Sequence, residues 1–196
     1  MIVVDVETTG LYPHKHSIAS IGAIDSSNIQ NQFYDECRIW DGAEISPFAL
    51  EVNGFTEEDL YDETKPTLGT LINNFLEWAS GIDNKILAGE NPRFDYSFLE
   101  SSAQLSDIPF SLNHRTFDLH TVAYSHMMKQ GETPPLSDGI SKLSGDKIMQ
   151  YVGLQPEPKP HNALTGAKYE AEAFSRLLSG GNLLPEFADF EIPDYL

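Results

Sequence analysis

The apolar positions of the chain fall into two periods. Residues 2–7 form a short apolar run that reads as a strand, with Asp5 and Glu7 set into it. Residues 17–25 (SIASIGAID) and 31–40 (NQFYDECRIW) predict two further strands on either side of a polar turn. Residues 46–60 predict a short helix, a break at Gly54 and a turn capped by Thr56 with Asp59 three positions on. In residues 67–80 the apolar positions are 68, 71, 72, 75, 76 and 79, the spacing of an amphipathic helix. A short strand over 85–92 ends at Pro92, and the following RFDYSFLESSAQL reads as helical. Residues 115–117 are a strand candidate leading into a helix capped by Asp118, and residues 130–141 read as a Pro/Gly/Ser loop. A short helix near 145–152 precedes the clearest one, 163–178, whose residues 164, 167, 171, 174 and 178 share a face.

Strands come first and then alternate with helices. That order predicts one α/β domain with a mixed sheet over residues 1–179, long enough to bury a real core. Residues 180–196 are an acidic tail that also carries Leu183, Leu184, Phe187, Phe190 and Ile192. Two readings of the tail stand open: a strap packed on its own domain, or a peptide that docks a protein partner. No run of about 18 apolar residues exists, so no membrane span is expected. The strand pattern begins directly after Met1, and Cys37 is the single cysteine, which together suggest a cytoplasmic protein without an internal disulfide.

Charge narrows the partners. The formal net charge is −18, from 30 acidic and 12 basic residues. Residues 1–84 hold only Lys15, Arg38 and Lys65, and no Lys or Arg follows Arg176. A long basic groove tracking a nucleic-acid backbone is therefore excluded. A polyanionic substrate would have to be held locally, through metal ions and a few donors.

Residues two apart on a strand point to the same face, so Asp5 and Glu7 project together. Unpaired, they repel and are costly to desolvate. A hard divalent cation, Mg²⁺ or Mn²⁺, relieves both effects. Gly10 follows in TTG, where a glycine lets a ligand approach the backbone closely. Downstream, Asp95 lies at a helix start just after a strand, and His161 lies just before the last helix. His14 and His16 flank Lys15 in a loop and are expected to be solvated, while Trp40 and Trp78 are expected in the core or at its rim.

In order, DVETTG, NPRFDYSFL and HNAL resemble the DEDDh family of 3′–5′ exonucleases, which includes oligoribonuclease, ribonuclease T and the proofreading subunit of bacterial DNA polymerase. The resemblance extends over residues 1 to about 178, through IGAID and ALEVNGFTEEDL. It implies a ribonuclease H-like mixed five-stranded sheet flanked by helices. It further implies Asp5, Glu7 and Asp95 as metal ligands, His161 as general base, and two Mg²⁺ or Mn²⁺ ions. Thr8, Gly10 and Leu11 would line the terminal nucleotide, with Asn91 near the mouth of the site. The substrates it implies are single-stranded 3′ ends, short oligonucleotides among them.

One position departs from the family. Five residues after the catalytic histidine the family has an aspartate, and here stands Gly166. Glu170, one helical turn on, is a replacement that could reach back, since helical side chains lean toward the N-terminus. Glu90, at the end of a strand, is another. A site with one weak metal and an inactive module that only binds nucleic acid or protein are the remaining readings. An aspartate introduced at 166 is expected to be conformationally mild.

Overall fold

The computed structural model describes residues 1–196. Seven strands and seven helices follow in the order β1 (Ile2–Thr8), β2 (Ile18–Asp25), β3 (Gln32–Glu36), α1 (Pro47–Asn53), α2 (Glu57–Leu60), α3 (Leu68–Ser80), β4 (Leu87–Gly89), α4 (Arg93–Leu105), β5 (Phe117–Asp118), α5 (Leu119–Lys129), β6 (Leu136–Ser137), β7 (Ile140–Ser141), α6 (Gly145–Tyr151) and α7 (Ala163–Ser179). The main sheet has the order β3-β2-β1-β4-β5. β1 pairs antiparallel with β2 and parallel with β4, so the sheet is mixed and β1 is its centre.

Both faces of β1 are covered, which is why its sequence is nearly all apolar. Ile2, Val4 and Val6 pack with Leu71, Ile72 and Phe75 of α3 and Phe98 and Leu99 of α4. Val3 belongs to the other core, with Leu119 of α5, Ile148 of α6, and Ala171 and Phe174 of α7. By the strand's period of two, Asp5 and Glu7 share the face of Val3, toward α7. Gly22 in β2 lets the first turn of α7 lie directly on the sheet. A Cβ there would overlap the backbone of Ala163 and Leu164.

Most local signals were read as they fold. Thr56 and Asp59 form a reciprocal capping box, and Asp118 caps α5 by accepting from the N–H groups of His120 and Thr121, each at 3.2 Å. Trp78 packs against the core and donates to Asn31 Oδ1 at 2.7 Å. Three expectations need correction. The segment 130–141 is not all loop: β6 and β7 form a hairpin turning on Asp138 (φ 52°) and Gly139 (φ 75°), a type I′ signature masked by strands of two residues. The buried face of α7 is rotated from the expected one. It runs through residues 163, 166, 167, 171, 174 and 177, and Leu178 is 57% exposed. His16 is buried rather than solvated, and Tyr12 N–H donates to its Nδ1 at 3.1 Å.

The tail folds back as a strap. Leu184 and Phe187 join the core beneath α7, so the apolar side chains that docking would need are used internally. Arg176, fully buried, holds the strap. Its guanidinium donates to Glu172 Oε1 and Asn182 Oδ1 at 2.8 Å and to the carbonyls of Val152, Phe187 and Phe190 at 2.9–3.1 Å. Glu172 in turn accepts from the N–H groups of Leu183 and Leu184 at 2.8 and 2.9 Å. Arg176→Met strands the Glu172 carboxylate in the core. It should cost about 3–5 kcal/mol in urea denaturation, and a native midpoint would show that the clasp contributes nothing.

Candidate active site

β1 and β4 pair only over Ile2–Val3 and Leu87–Ala88, and β4 ends at Gly89 while β1 runs on to Thr8. A crevice opens where the two parallel strands end, the place where open α/β sheets present ligand sites. The strand edge freed there does not stay bare. Val6 N–H donates to Asp95 Oδ1 at 3.0 Å, which draws the first turn of α4 over the strand between Asp5 and Glu7.

α7 closes the opposite side. The carboxylate of Glu170 reaches back to the sheet, where its Oε1 accepts from Glu90 N–H at 3.0 Å. Its Oε2 is buried and has no hydrogen-bond partner. Gly89 makes room for it, since a Cβ there would lie 3.0 Å from Glu170 Oε2 and 3.0 Å from the Val4 carbonyl. Gly166 makes room for Asp5 in the same way. A Cβ at 166 would overlap Asp5 Oδ2 and lie 3.0 Å from its Cγ. An aspartate at 166 therefore requires the Asp5 carboxylate to shift.

Asp5, Glu7, Asp95, Glu170 and His161 all line one cavity of about 390 Å³, as do Gly166, Glu90 and Asn91. Asn91 sits in the left-handed region (φ 52°) and donates its N–H to Asp118 Oδ1 at 3.2 Å. No three His, Cys, Asp or Glu groups close on a common point at metal-ligand distance; they line the cavity wall. Thr8, Gly10 and Leu11 are not among the lining residues. Thr8 Oγ1 donates to the Gly10 carbonyl at 2.8 Å, and Leu11 is 69% exposed. The space left by Gly10 is filled by the His16 ring, so a side chain there is excluded by internal packing. Reading the sequence missed Glu157, which lines the cavity and lies 3.4 Å from His161 Nδ1. It sits in the irregular run QPEPKP, where no periodicity could mark it.

A profile of the exonuclease family matches residues 2–174. The chain belongs to the exonuclease family. It is 31% identical over 197 residues to ribonuclease T of Hahella chejuensis, covering 91% of this chain and 83% of that protein. It is 28% identical over 181 residues to the 3′-5′ DNA exonuclease Cap18 of Escherichia coli, covering 88% of each. To the PolC-type DNA polymerase III of Thermotoga petrophila it is 29% identical, but it spans only 12% of that polymerase. The nuclease domain of 3′hExo, a DEDDh family member solved with rAMP, superposes with a TM-score of 0.69 at 17% identity, covering 100% of this chain and 96% of that one. E. coli exonuclease I in complex with a dT13 oligonucleotide gives 0.71 at 17% identity, covering 89% and 40%. These neighbours share the ribonuclease H-like mixed sheet flanked by helices.

Exonucleases of this family generally use divalent metal ions. The donor set of this chain fits such ions. Of the fifteen residues lining the cavity, seven are Asp or Glu and none is Lys or Arg. Burial, then Glu170 and Asp95, push Asp5 far above the usual carboxylate range. Burial followed by Asp95 does the same to Glu170. Glu7 is raised to about 7 by burial and then by Glu157, and Asp95 to about 7 chiefly by burial, against the opposing Val6 N–H. The orphaned Glu170 Oε2 is an oxygen donor held ready in a protein-enclosed wall. Hard oxygen donors without a competing cation suit Mg²⁺ or Mn²⁺.

The raised carboxylates make a pH prediction. Their folded pKa exceeds the unfolded value, so the folded state holds more protons between about pH 4 and pH 7, and their contribution to stability falls as pH rises through that window. In chelator, Asp95→Asn should come close to native stability near pH 4, at the foot of the window, where folded Asp95 is protonated and the unfolded carboxyl has only begun to ionise. Near pH 8 it should exceed native stability by at least about 1.4 kcal/mol, the equivalent of one pKa unit. Parallel denaturation curves at the two pH values would refute the charged, buried Asp95.

Proposed function

We propose that this protein is a Mg²⁺- or Mn²⁺-dependent 3′–5′ exonuclease that releases nucleoside monophosphates from single-stranded ends. The observation that carries the reading is the gathering of Asp5, Glu7, Asp95, Glu170 and His161 on one acidic cavity at the carboxyl end of β1. It is supported by the relatives named as 3′-5′ DNA exonuclease and ribonuclease T, and by the oligonucleotide held in exonuclease I.

Asp5, Glu7 and Asp95 would hold the ions, with Glu170 taking the place of the family's aspartate at 166. Bound there, divalent cations polarise the scissile phosphate and lower the pKa of the attacking water. His161 accepts the proton of that water, a task matched to an imidazole near neutral pH. Its backbone is fixed, because His161 N–H donates to the Val52 carbonyl at 3.0 Å. The leaving group is the 3′ oxygen of the penultimate nucleotide. The net charge of −18 favours short oligonucleotides, since few phosphates can be neutralised along the surface. Asn91, which lines the cavity wall, would contact the terminal nucleotide.

The test is a 5′-labelled single strand, DNA and RNA in turn, incubated with Mg²⁺ or Mn²⁺. Stepwise shortening from the 3′ end with monophosphate release is expected. Asp5→Asn should reduce the rate by orders of magnitude without loss of fold, since it relieves repulsion in the metal-free protein. Glu170→Gln should lower both the rate and the Mn²⁺-induced rise in melting temperature. A Glu170→Gln protein with native rate and native metal stabilisation would remove Glu170 from the ligand set. A native protein inert with every divalent ion would leave the module that only binds nucleic acid or protein.

A further inference from the structure

We infer that Glu157 is a positioning residue for His161, holding the imidazole so that its far nitrogen takes the proton; the inference rests on the exonuclease reading of the site. Glu157 lies in the loop between α6 and α7, four residues before His161. One oxygen of its carboxylate is 3.4 Å from His161 Nδ1. The other accepts from Asn162 N–H at 3.3 Å. Asn162 is the N-cap of α7, its Oδ1 accepting from the N–H groups of Leu164 and Thr165 at 3.2 Å. One carboxylate thus ties the ring of His161 to the start of the helix that carries Gly166 and Glu170. With the backbone of His161 pinned to Val52 and Nδ1 turned to Glu157, Nε2 is the nitrogen left to receive a proton.

The arrangement is chemically productive. A carboxylate beside Nδ1 fixes the ring's orientation and tautomer, and stabilises the imidazolium formed when Nε2 gains a proton. The Glu157 side chain is 14% exposed and that of His161 30%, so the carboxylate lies on the inner side of the pair. Burial raises its carboxyl, and His161 opposes that rise. Across the cavity the pair faces Asp5 and Glu7 on β1, Glu90 just after β4, Asp95 on α4, Asp146 on α6, and Tyr169 and Glu170 on α7. On the other side of His161 lie Tyr34 and Glu36 of β3, Asp59 of α2 and Lys65. Among these, Glu157 alone is at ion-pair distance from the ring. Because it lines the same cavity as the acidic set, its rival role is that of a further metal ligand.

The decisive variant is Glu157→Gln in the full chain, assayed with Mn²⁺ and a single-stranded oligonucleotide. The expected loss is about 10- to 100-fold in kcat, the scale for a group that orients another, with KM and the Mn²⁺-induced rise in melting temperature at native values. The acidic limb of the kcat/KM profile should move to lower pH, because the anion beside the imidazolium is gone. Glu157→Asp, which keeps the charge, should return the limb toward its native position. The NMR titration of the His161 ring, which needs no substrate, should shift in the same direction in the Gln variant. Native kcat and an unmoved limb in Glu157→Gln overturn the role. Loss of Mn²⁺ stabilisation overturns it too, by placing the carboxylate among the ion's ligands. A native protein without nuclease activity overturns the function reading and this role together, whereas an active native protein with an unaffected Gln variant overturns this role alone.

Discussion

Like charges buried together at the carboxyl end of β1 are the constraint around which this molecule is arranged. Glu7 is 8% and Asp95 4% exposed, and no Lys or Arg lines their cavity. Taking a carboxylate out of water costs several kcal/mol even after relaxation. The fold meets that cost from outside the site. Two cores of 18 buried residues each, one on either face of the sheet, hold β1 in place. The parting of β1 from β4 then frees the Val6 N–H for Asp95, and the end of β4 supplies the Glu90 N–H for Glu170. What remains unsatisfied is negative charge and the Oε2 of Glu170, which is what a cation site needs.

Helix α7 contains two inward-facing glutamates two residues apart, Glu172 buried and Glu170 half-buried, treated in opposite ways. Glu172 meets Arg176 and two backbone N–H groups, so its charge is spent on holding the strap. Glu170 keeps one oxygen free of any partner and points to the cavity. The first is a structural pair whose loss is felt as stability. The second is left with an unpartnered oxygen at the cavity. The difference is one of neighbours alone, since Arg176 lies one turn beyond Glu172 and no cation lies near Glu170.

The proposed replacement of the family's aspartate at 166 by Glu170 draws on two glycines rather than on a change of fold. One turn of helix moves a Cα by about 6 Å along the axis, and a glutamate leaning toward the N-terminus recovers much of that distance. Gly89 opens the sheet side for its carboxylate, and Gly166 releases space into which Asp5 leans. A side chain at 89 would therefore press on Glu170, and one at 166 on Asp5.

The strand carrying Asp5 and Glu7, the Asp118 and Thr56 caps, the amphipathic α3 and the family motifs were legible in the sequence. Each is written in residues a few positions apart, where backbone period and hydrogen-bonding reach decide the outcome. Glu157 beside His161, the His16 ring filling the space at Gly10, the rotated face of α7 and the strap locked by Arg176 were not. Each joins groups on different elements, and the lining of a cavity depends on how helices settle on the sheet. Gly22 lets α7 touch β2, and that contact carries Gly166 to Asp5 and Glu170 into the crevice. Local pattern determined which elements form and which carboxylates share a strand face, while packing between distant segments decided which of those groups meet.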